Sequence, residues 1–452
     1  MYLKKHVALF LFSLFFILIG IMIINAVRDP FQILHKTEAL FINNPRIQNA
    51  GLINNYLTAD NGYDSVIIGN SLSMGLKSNE TSETMGWGKV MKLSAAGSLP
   101  YTQKVTLLHA LKNKNIKNVL WVLPIVNYEK PEDALGQFEK NFSSFTYLYD
   151  NNPFNEINYL LNFGTLKKSI SLLSGDNLER KSMYYQNLGY LRSPKWDKWS
   201  SPKNIKKLYK KYNNYFETTL AYKQNLDFRT YMDSKSLDNN LIQIIKTHPE
   251  VNFTLIIPPY SYFLQHTIFT KQLAGIELLL RKTIDLSNIK IYGFANEKFI
   301  KNLYYYRDKR HYSGEISSYM VHCINEGKEP LSLNNLQQYQ KNIIINLNSY
   351  KSIYSKNTHI YSNYYKIKET EKTIDCTLNP KRKNMQVSFS LFKGKKFINK
   401  KKYSTNFTYT INKEKLSKGI YILRYTLINA DANASDIDTY KEVGYSKDIT
   451  VK

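Results

Sequence analysis

"VIIGNSLSMG" (66–75) runs three β-prone apolar residues into a glycine and then presents a lone Ser71 in a short polar turn. By length and β-branching, "DSVIIG" (64–69) is a short buried strand rather than a helix. A serine at the end of such a strand is where α/β enzymes present a nucleophile, and it is also an ordinary turn residue or helix N-cap. The segments around it decide between those readings.

Downstream, "KVMKLSAAG" (89–97) reads as a second strand and "YTQKVTLLHALKNK" (101–114) as a helix, with Val105, Leu107, Leu108 and Leu111 apolar. "KNVLWVLPIV" (117–126) reads as a third strand. After residue 235 the rhythm resumes. A helix is expected over 237–248, a strand over 251–260, a helix over 269–284, a strand over 289–294 and an amphipathic helix over 313–327. Strands alternating with helices point to an α/β fold built on a parallel sheet. The Tyr-, Asn- and Lys-rich region 130–235 reads as a helical insertion that frames a substrate cleft, and the stretch before residue 60 as a connection.

Beyond residue 330 the pattern changes. "QVSFSLFKGKKF", "YSTNFTYTI", "KGIYILRYTLIN" and "YSKDITVK" alternate apolar and polar residues between turn signals. That alternation is an antiparallel β pattern, assigned to an Ig-like β-sandwich over 371–452 after a connecting segment at 331–370. Two roles stay open for it: a spacer or wall of the neighbouring domain, and a carbohydrate-binding module.

The N-terminus, "MYLKKHVALFLFSLFFILIGIMIINAVRDP", carries no charge from Val7 to Ile24. About 20 such residues cross a bilayer. Lys4 and Lys5 precede the run, which favours a cytoplasmic N-terminus and an external body. The exit Asn25-Ala26-Val27-Arg28 lacks the small-x-small pattern of a signal-peptide cleavage site. Residues 1–27 therefore read as an uncleaved single-pass anchor in the cytoplasmic membrane, with the body, from residue 28, in the periplasm or other extracytoplasmic space.

The 452 residues carry a formal charge of +26, and 36 of them are tyrosines. Lysines are spread along the chain, and no helix-turn-helix, RNP-like run or zinc knuckle is present. This argues against nucleic acid and for an acidic glycan or anionic headgroups. Tyrosines suit stacking on sugar rings. Two cysteines, Cys323 and Cys376, are too few for a disulfide framework, and a bridge between them or two separate thiols are both open. No Cys/His spacing suits a metal, and no cofactor is expected.

A serine hydroxyl needs a base, and the base needs an orienting carboxylate. Of the eight histidines, His311 alone follows a carboxylate by three residues, Asp308 in "RDKRHYSGE". The loop lies after strand 289–294, and loops that follow parallel strands share the edge where ligands bind. Ser71 lies on that edge too. An oxyanion formed there needs donors. The Ser71 amide, the backbone at Gly97 and the Asn127 side chain, after strand 117–126, are placed to supply them. The bland alternatives are a turn glycine at Gly97 and an Asp308 that caps a helix or pairs with Arg307 or Arg310.

Together these residues resemble the SGNH (GDSL) hydrolases. Gly69-Asn70-Ser71-Leu72 looks like the GDSL block with Asn in place of Asp, Gly97 falls where the second-block glycine stands, and Asp308 with His311 looks like the last block. "YYYRDKRHYS" and "NFTLIIPPYS" are similar to the membrane-anchored branch that modifies cell-envelope polysaccharides, including proteins like those that O-acetylate alginate. The third block, usually Gly-x-Asn-Asp, is absent, and "PIVNYEKP" stands in its place. The resemblance covers roughly 28–330. It implies a three-layer fold and Ser71 as nucleophile, His311 as base and Asp308 as its partner. The expected activity is an extracytoplasmic O-acetyltransferase or acetylesterase on a cell-surface polysaccharide, with acyl groups supplied by a donor or a membrane-bound acyltransferase partner. The alternative is a catalytically inactive glycan-binding or polysaccharide-assembly protein on the same fold.

Overall fold

The computed structural model describes residues 2–35, 37, 45–56, 63–112, 116–139, 142–150, 152–172, 234–301, 305–348, 365–378, 385–393, 396–429, 441–445 and 449–451. Five short strands form one parallel sheet: β1 (Ser65–Gly69), β2 (Val90–Ser94), β3 (Asn118–Val122), β4 (Asn252–Ile257) and β5 (Ile289–Gly293). Their order is β2-β1-β3-β4-β5. All the expected strands are present, each trimmed to the run that pairs. β1 lies between β2 and β3, with Ile67 beside Lys92 on one side and Leu120 on the other. Every residue of β1 is buried, which explains its unbroken apolar character: a parallel sheet covered on both faces has no solvent side to alternate toward.

In this order the chain steps from β1 to β2 and then reverses across β1 to β3. Such a reversal opens a crevice outside the carboxyl ends of the strands. Ser71 stands in that crevice, two residues after β1 ends.

Helices cover the sheet. α1 (Tyr2–Arg28) is the long apolar helix, and α2 (Pro45–Tyr56) follows it. α3 (Ser78–Met85) stops at Gly86 in the left-handed conformation, and α4 (Pro100–Leu111) starts on a proline. Short helices α5 (Ile157–Leu160) and α6 (Phe163–Ser171) follow. Next come α7 (Ser234–Leu237), a π turn over Asp238–Ile242 and α8 (Gln243–Thr247), then α9 (Tyr262–Thr283), α10 (Gly314–Asn325) and α11 (Leu333–Asn348).

Three expectations change. The stretch before residue 60 is not a plain connection: α2 buries Ile47, Ala50, Leu52 and Ile53 against the sheet domain. The first half of the segment read as a connection, 331–370, holds α11, whose Tyr339 packs against Gly293. Leu331 N–H bonds Ile291 O at 2.6 Å, so the chain runs alongside β5 before that helix. Third, of the described residues in the 130–235 insertion, 142–150 and 153–172 are mostly in short helices as expected while 130–139 is turns, yet α5 and α6 lie against the end of α1. Residues 173–233 lie outside the described residues.

The later strands are antiparallel. β6 (Tyr365–Glu369), β7 (Thr373–Leu378) and β10 (Thr408–Asn412) form one sheet, ordered β10-β7-β6. β8 (Met385–Lys393), β9 (Lys396–Ser404), β11 (Gly419–Asn429), β12 (Lys441–Tyr445) and β13 (Ile449–Val451) form the other. Ile374 and Cys376 from the first share a core with Phe389 and Leu423 from the second, separate from the core around the parallel sheet. Cys323 and Cys376 are free thiols, and burial pushes Cys323 up to about 11 and Cys376 up to about 12.

Candidate functional site

Gly69 ends β1 with φ +151, and a Cβ there would meet Ser73 Oγ at 2.9 Å and Val122 O at 3.0 Å. Glycine is therefore what lets the chain leave the sheet so sharply. The next turn is held by Asn70, whose Oδ1 accepts from Leu72 N at 3.0 Å. That bond needs only a side-chain oxygen, so asparagine serves here as well as an aspartate would. Ser73 Oγ donates to Asn70 O at 2.7 Å and meets Ser94 Oγ at 2.7 Å, tying the turn to β2. Lys92, buried within β2, donates from Nζ to Leu76 O at 3.0 Å and secures the far end of the loop.

The second loop is built just as locally. Tyr306 and Tyr312 form an antiparallel bridge, with Arg307 N–H on His311 O at 3.0 Å and Ser313 N–H on Tyr305 O at 2.7 Å. At the tip, Asp308 Oδ1 accepts from Arg310 N at 2.7 Å and His311 N at 2.8 Å. This is why the carboxylate sits three residues before the imidazole: the same turn that closes the loop aims the second oxygen at the ring. Tyr312 Oη then donates to Leu72 O at 2.8 Å, and Ser261 Oγ donates to Lys309 O at 2.7 Å. One bond fastens the loop to the turn after β1, and the other to the segment after β4.

The two loops meet although 240 residues separate them. Ser71 Oγ lies 2.8 Å from His311 Nε2, and His311 Nδ1 lies 2.7 Å from Asp308 Oδ2. An ionised carboxylate only accepts, so Nδ1 carries the proton and, in the neutral ring, Nε2 is left to accept from the serine hydroxyl. Burial drives the Asp308 carboxyl upward, but its bonds to the His311 ring and to the two backbone amides prevail and bring it to about 2.

The expected oxyanion donors stand on the neighbouring strand ends. Gly97 follows β2 with φ +72, and its loop is tied to Gly69 O by Ala95 N at 3.0 Å and Ser98 Oγ at 3.3 Å. The N–H groups of Ser71 and Gly97 donate to no other group among the described residues. Asn127 lies in the 3₁₀ turn Ile125–Glu129 after β3, half-buried, and no bond connects it to Ser71 or His311 among the described residues. The structure therefore brings Ser71, His311 and Asp308 into one line. It leaves Gly97 and Asn127 on the flanking loops without a bond to that line.

Sequence reasoning missed the support beneath Gly97. Arg46 Nε reaches Glu139 Oε1 at 3.3 Å, and Arg46 Nη2 donates to Ala96 O at 2.6 Å. Glu139 Oε2 accepts from Leu99 N at 3.2 Å and Gly136 N at 2.8 Å. A buried ion pair thus holds both sides of the Gly97 turn. Nothing local announces it, because Arg46 and Glu139 are 93 positions apart. Phe138 lies directly over Gly97, where an added Cβ would come within 2.7 Å of its ring, and yet it is 68% exposed.

No family model matches the chain, and no curated protein matches it. Among solved structures, the X-ray structure of the endo-beta-1,4-mannanase from Thermotoga petrophila is paired with it at 9% identity, covering 87% of this chain and 99% of that one. The TM-score is 0.14, too low to carry an argument about fold or activity.

Proposed function

We propose that this is a membrane-anchored serine esterase or O-acyltransferase of SGNH type, acting on O-acetyl groups of an acidic cell-surface polysaccharide. The hydrogen-bonded line Ser71–His311–Asp308 carries the reading. The strand order and the placement of Ser71 at the sheet's reversal support it. In the first step Ser71 Oγ attacks the acyl carbonyl while His311 Nε2 takes its proton. The amides of Ser71 and Gly97, joined by the Asn127 side chain, stabilise the negative oxygen that develops. Collapse of the tetrahedral adduct breaks the acyl–oxygen bond, and the imidazolium returns its proton to the leaving alcohol. A sugar hydroxyl or water then attacks the acyl-enzyme, with His311 again acting as base.

In this reading α1 is an uncleaved anchor whose N-terminus lies in the cytoplasm, with the body outside. The α/β domain ends with α11, and the two antiparallel sheets form an appended β-sandwich. A membrane-bound acyltransferase supplies the acyl group when transfer is the reaction. The test is Ser71→Ala in the full chain. Loss of p-nitrophenyl acetate hydrolysis together with envelope O-acetylation supports the reading, and unchanged levels of both overturn it.

A further inference from the structure

We infer that residues 154–170 form a docking collar for the lipid bilayer, seating the α/β body directly on the membrane surface beside α1. The inference rests on the anchor reading of α1. Its observations are independent of the triad.

The first observation is how α1 enters the body. Asn25, just past the apolar run that ends at Ile24, is completely buried. Its Nδ2 donates to Leu160 O at 2.8 Å and Asn162 O at 3.4 Å, and its Oδ1 accepts from Ser169 Oγ at 2.8 Å. Just beyond, the Asp29 carboxylate accepts from Ile33 N at 2.9 Å, Leu34 N at 2.8 Å, His35 N at 2.9 Å and Tyr159 Oη at 2.8 Å. The helix end is therefore gripped by α5, α6 and the turn that follows it, with no loose linker between span and body. Whatever surrounds α6 lies at the depth of residue 25, which is where an inserted helix leaves the hydrocarbon for the headgroups.

The second observation is the polarity of α5 and α6. α6 buries the small polar Thr165 and Ser169 and exposes Phe163 and Ile170. Residues seven apart lie on one helical face, so this helix is polar inside and apolar outside, the reverse of a water-facing helix. Phe163 is 75% exposed and Phe154 is 84% exposed, with Ile157 and Leu161 also open. Lys167 is exposed on the same side of α6, and its long stem can lie along apolar surface while the ammonium reaches headgroups. Elsewhere in the described body, exposed large apolar residues such as Phe138, Ile284, Ile345, Ile367, Phe397 and Ile420 are spread singly along the sequence, as single exposed hydrophobics are on ordinary surfaces. A cluster of aromatic and aliphatic residues with lysine, continuous with a membrane-crossing helix, fits the interfacial layer of a bilayer. Docked in this way, the body holds its crevice at a fixed height above the lipid instead of swinging on a tether.

The test places a tryptophan in the collar. Full-length Phe163→Trp is reconstituted into vesicles of phosphatidylcholine and phosphatidylglycerol, and its emission is compared with that of the wild-type chain. With lipids brominated high on the acyl chains, the added emission is expected to be quenched, and in unbrominated vesicles it is expected to shift to shorter wavelength. Phe397→Trp, on β9, is the reference and keeps its added emission. Quenching of Phe163→Trp no greater than that of Phe397→Trp, in a chain that floats with the vesicles, overturns the collar and leaves the anchor standing. A chain that does not float with them overturns the anchor, and the collar with it.

Discussion

Asp308→Asn is the sharpest perturbation of the proton line, because the surrounding bonds dictate how the new amide must sit. Asp308 Oδ1 accepts from two backbone donors, Arg310 N at 2.7 Å and His311 N at 2.8 Å. An asparagine keeps its oxygen on those donors, since turning the amide around would set two N–H groups against an NH₂. Its nitrogen must then face His311 Nδ1, where Oδ2 stood at 2.7 Å. An NH₂ group donates, so Nδ1 becomes the acceptor and the ring proton moves to Nε2. There it faces Ser71 Oγ, 2.8 Å away, and the ring can no longer accept the serine proton. A wrong tautomer with intact geometry lowers turnover by about 10,000-fold in a triad enzyme, equivalent to about 5.4 kcal/mol at 1.36 kcal/mol per tenfold. The turn itself survives but its charged bond to the ring is lost, so the melting temperature at neutral pH is expected to fall modestly without loss of folding. The assay is kcat/KM for p-nitrophenyl acetate beside a thermal melt of the same preparation. Activity within about tenfold of wild type in a variant that is folded at the assay temperature would refute the assignment of His311 as the base oriented by Asp308.

The remaining predictions concern the neighbouring turn and the response to acid. Gly97→Ala places a Cβ against the Phe138 ring at a positive φ and so displaces the Gly97 N–H from the oxyanion position, which should lower kcat by roughly 100- to 1,000-fold; wild-type kcat in a folded Gly97→Ala enzyme would remove Gly97 from the site. Arg46→Met strands the buried Glu139 carboxylate and should cost about 3–5 kcal/mol in denaturant unfolding, so a loss below about 1 kcal/mol would show that the pair does not support the turn. For acid, the folded Asp308 value of about 2 lies below the ordinary 3.8. The group therefore contributes stability that is fully present above the ordinary value and is lost as pH falls from about 4 toward 2. Melts of wild type and Asp308→Asn should differ by a constant amount from pH 5 to 7 and converge below pH 4; a gap that widens in acid would contradict the depressed value.

Both loops of the candidate site were legible in the sequence because each is a local structure. Val66, Ile67 and Ile68 declare a strand buried on two faces, and the spacing of Asp308 and His311 is the spacing of a turn in which one carboxylate oxygen caps two amides. The helix over 45–56 was hidden because its apolar residues are interrupted by asparagines and glutamine, and only packing against the parallel sheet selects the helical form. α9 begins earlier than its apolar rhythm suggests because Ser261, held by Lys309 O, starts it.

What the sequence determined by itself was the set of local conformations: five buried strands, a membrane-length helix, and two turns that each prepare one part of the Ser71–His311–Asp308 line. Only the tertiary structure decided that Ser71 and His311 face each other across 240 residues, that Arg46 pairs with Glu139 beneath Gly97, and that α6 turns its apolar side outward next to α1. The reason is physical. A turn is selected by interactions within a few residues, whereas a meeting of distant segments depends on the strand order and on bonds such as Tyr312 to Leu72 O, which exist only after the sheet has assembled.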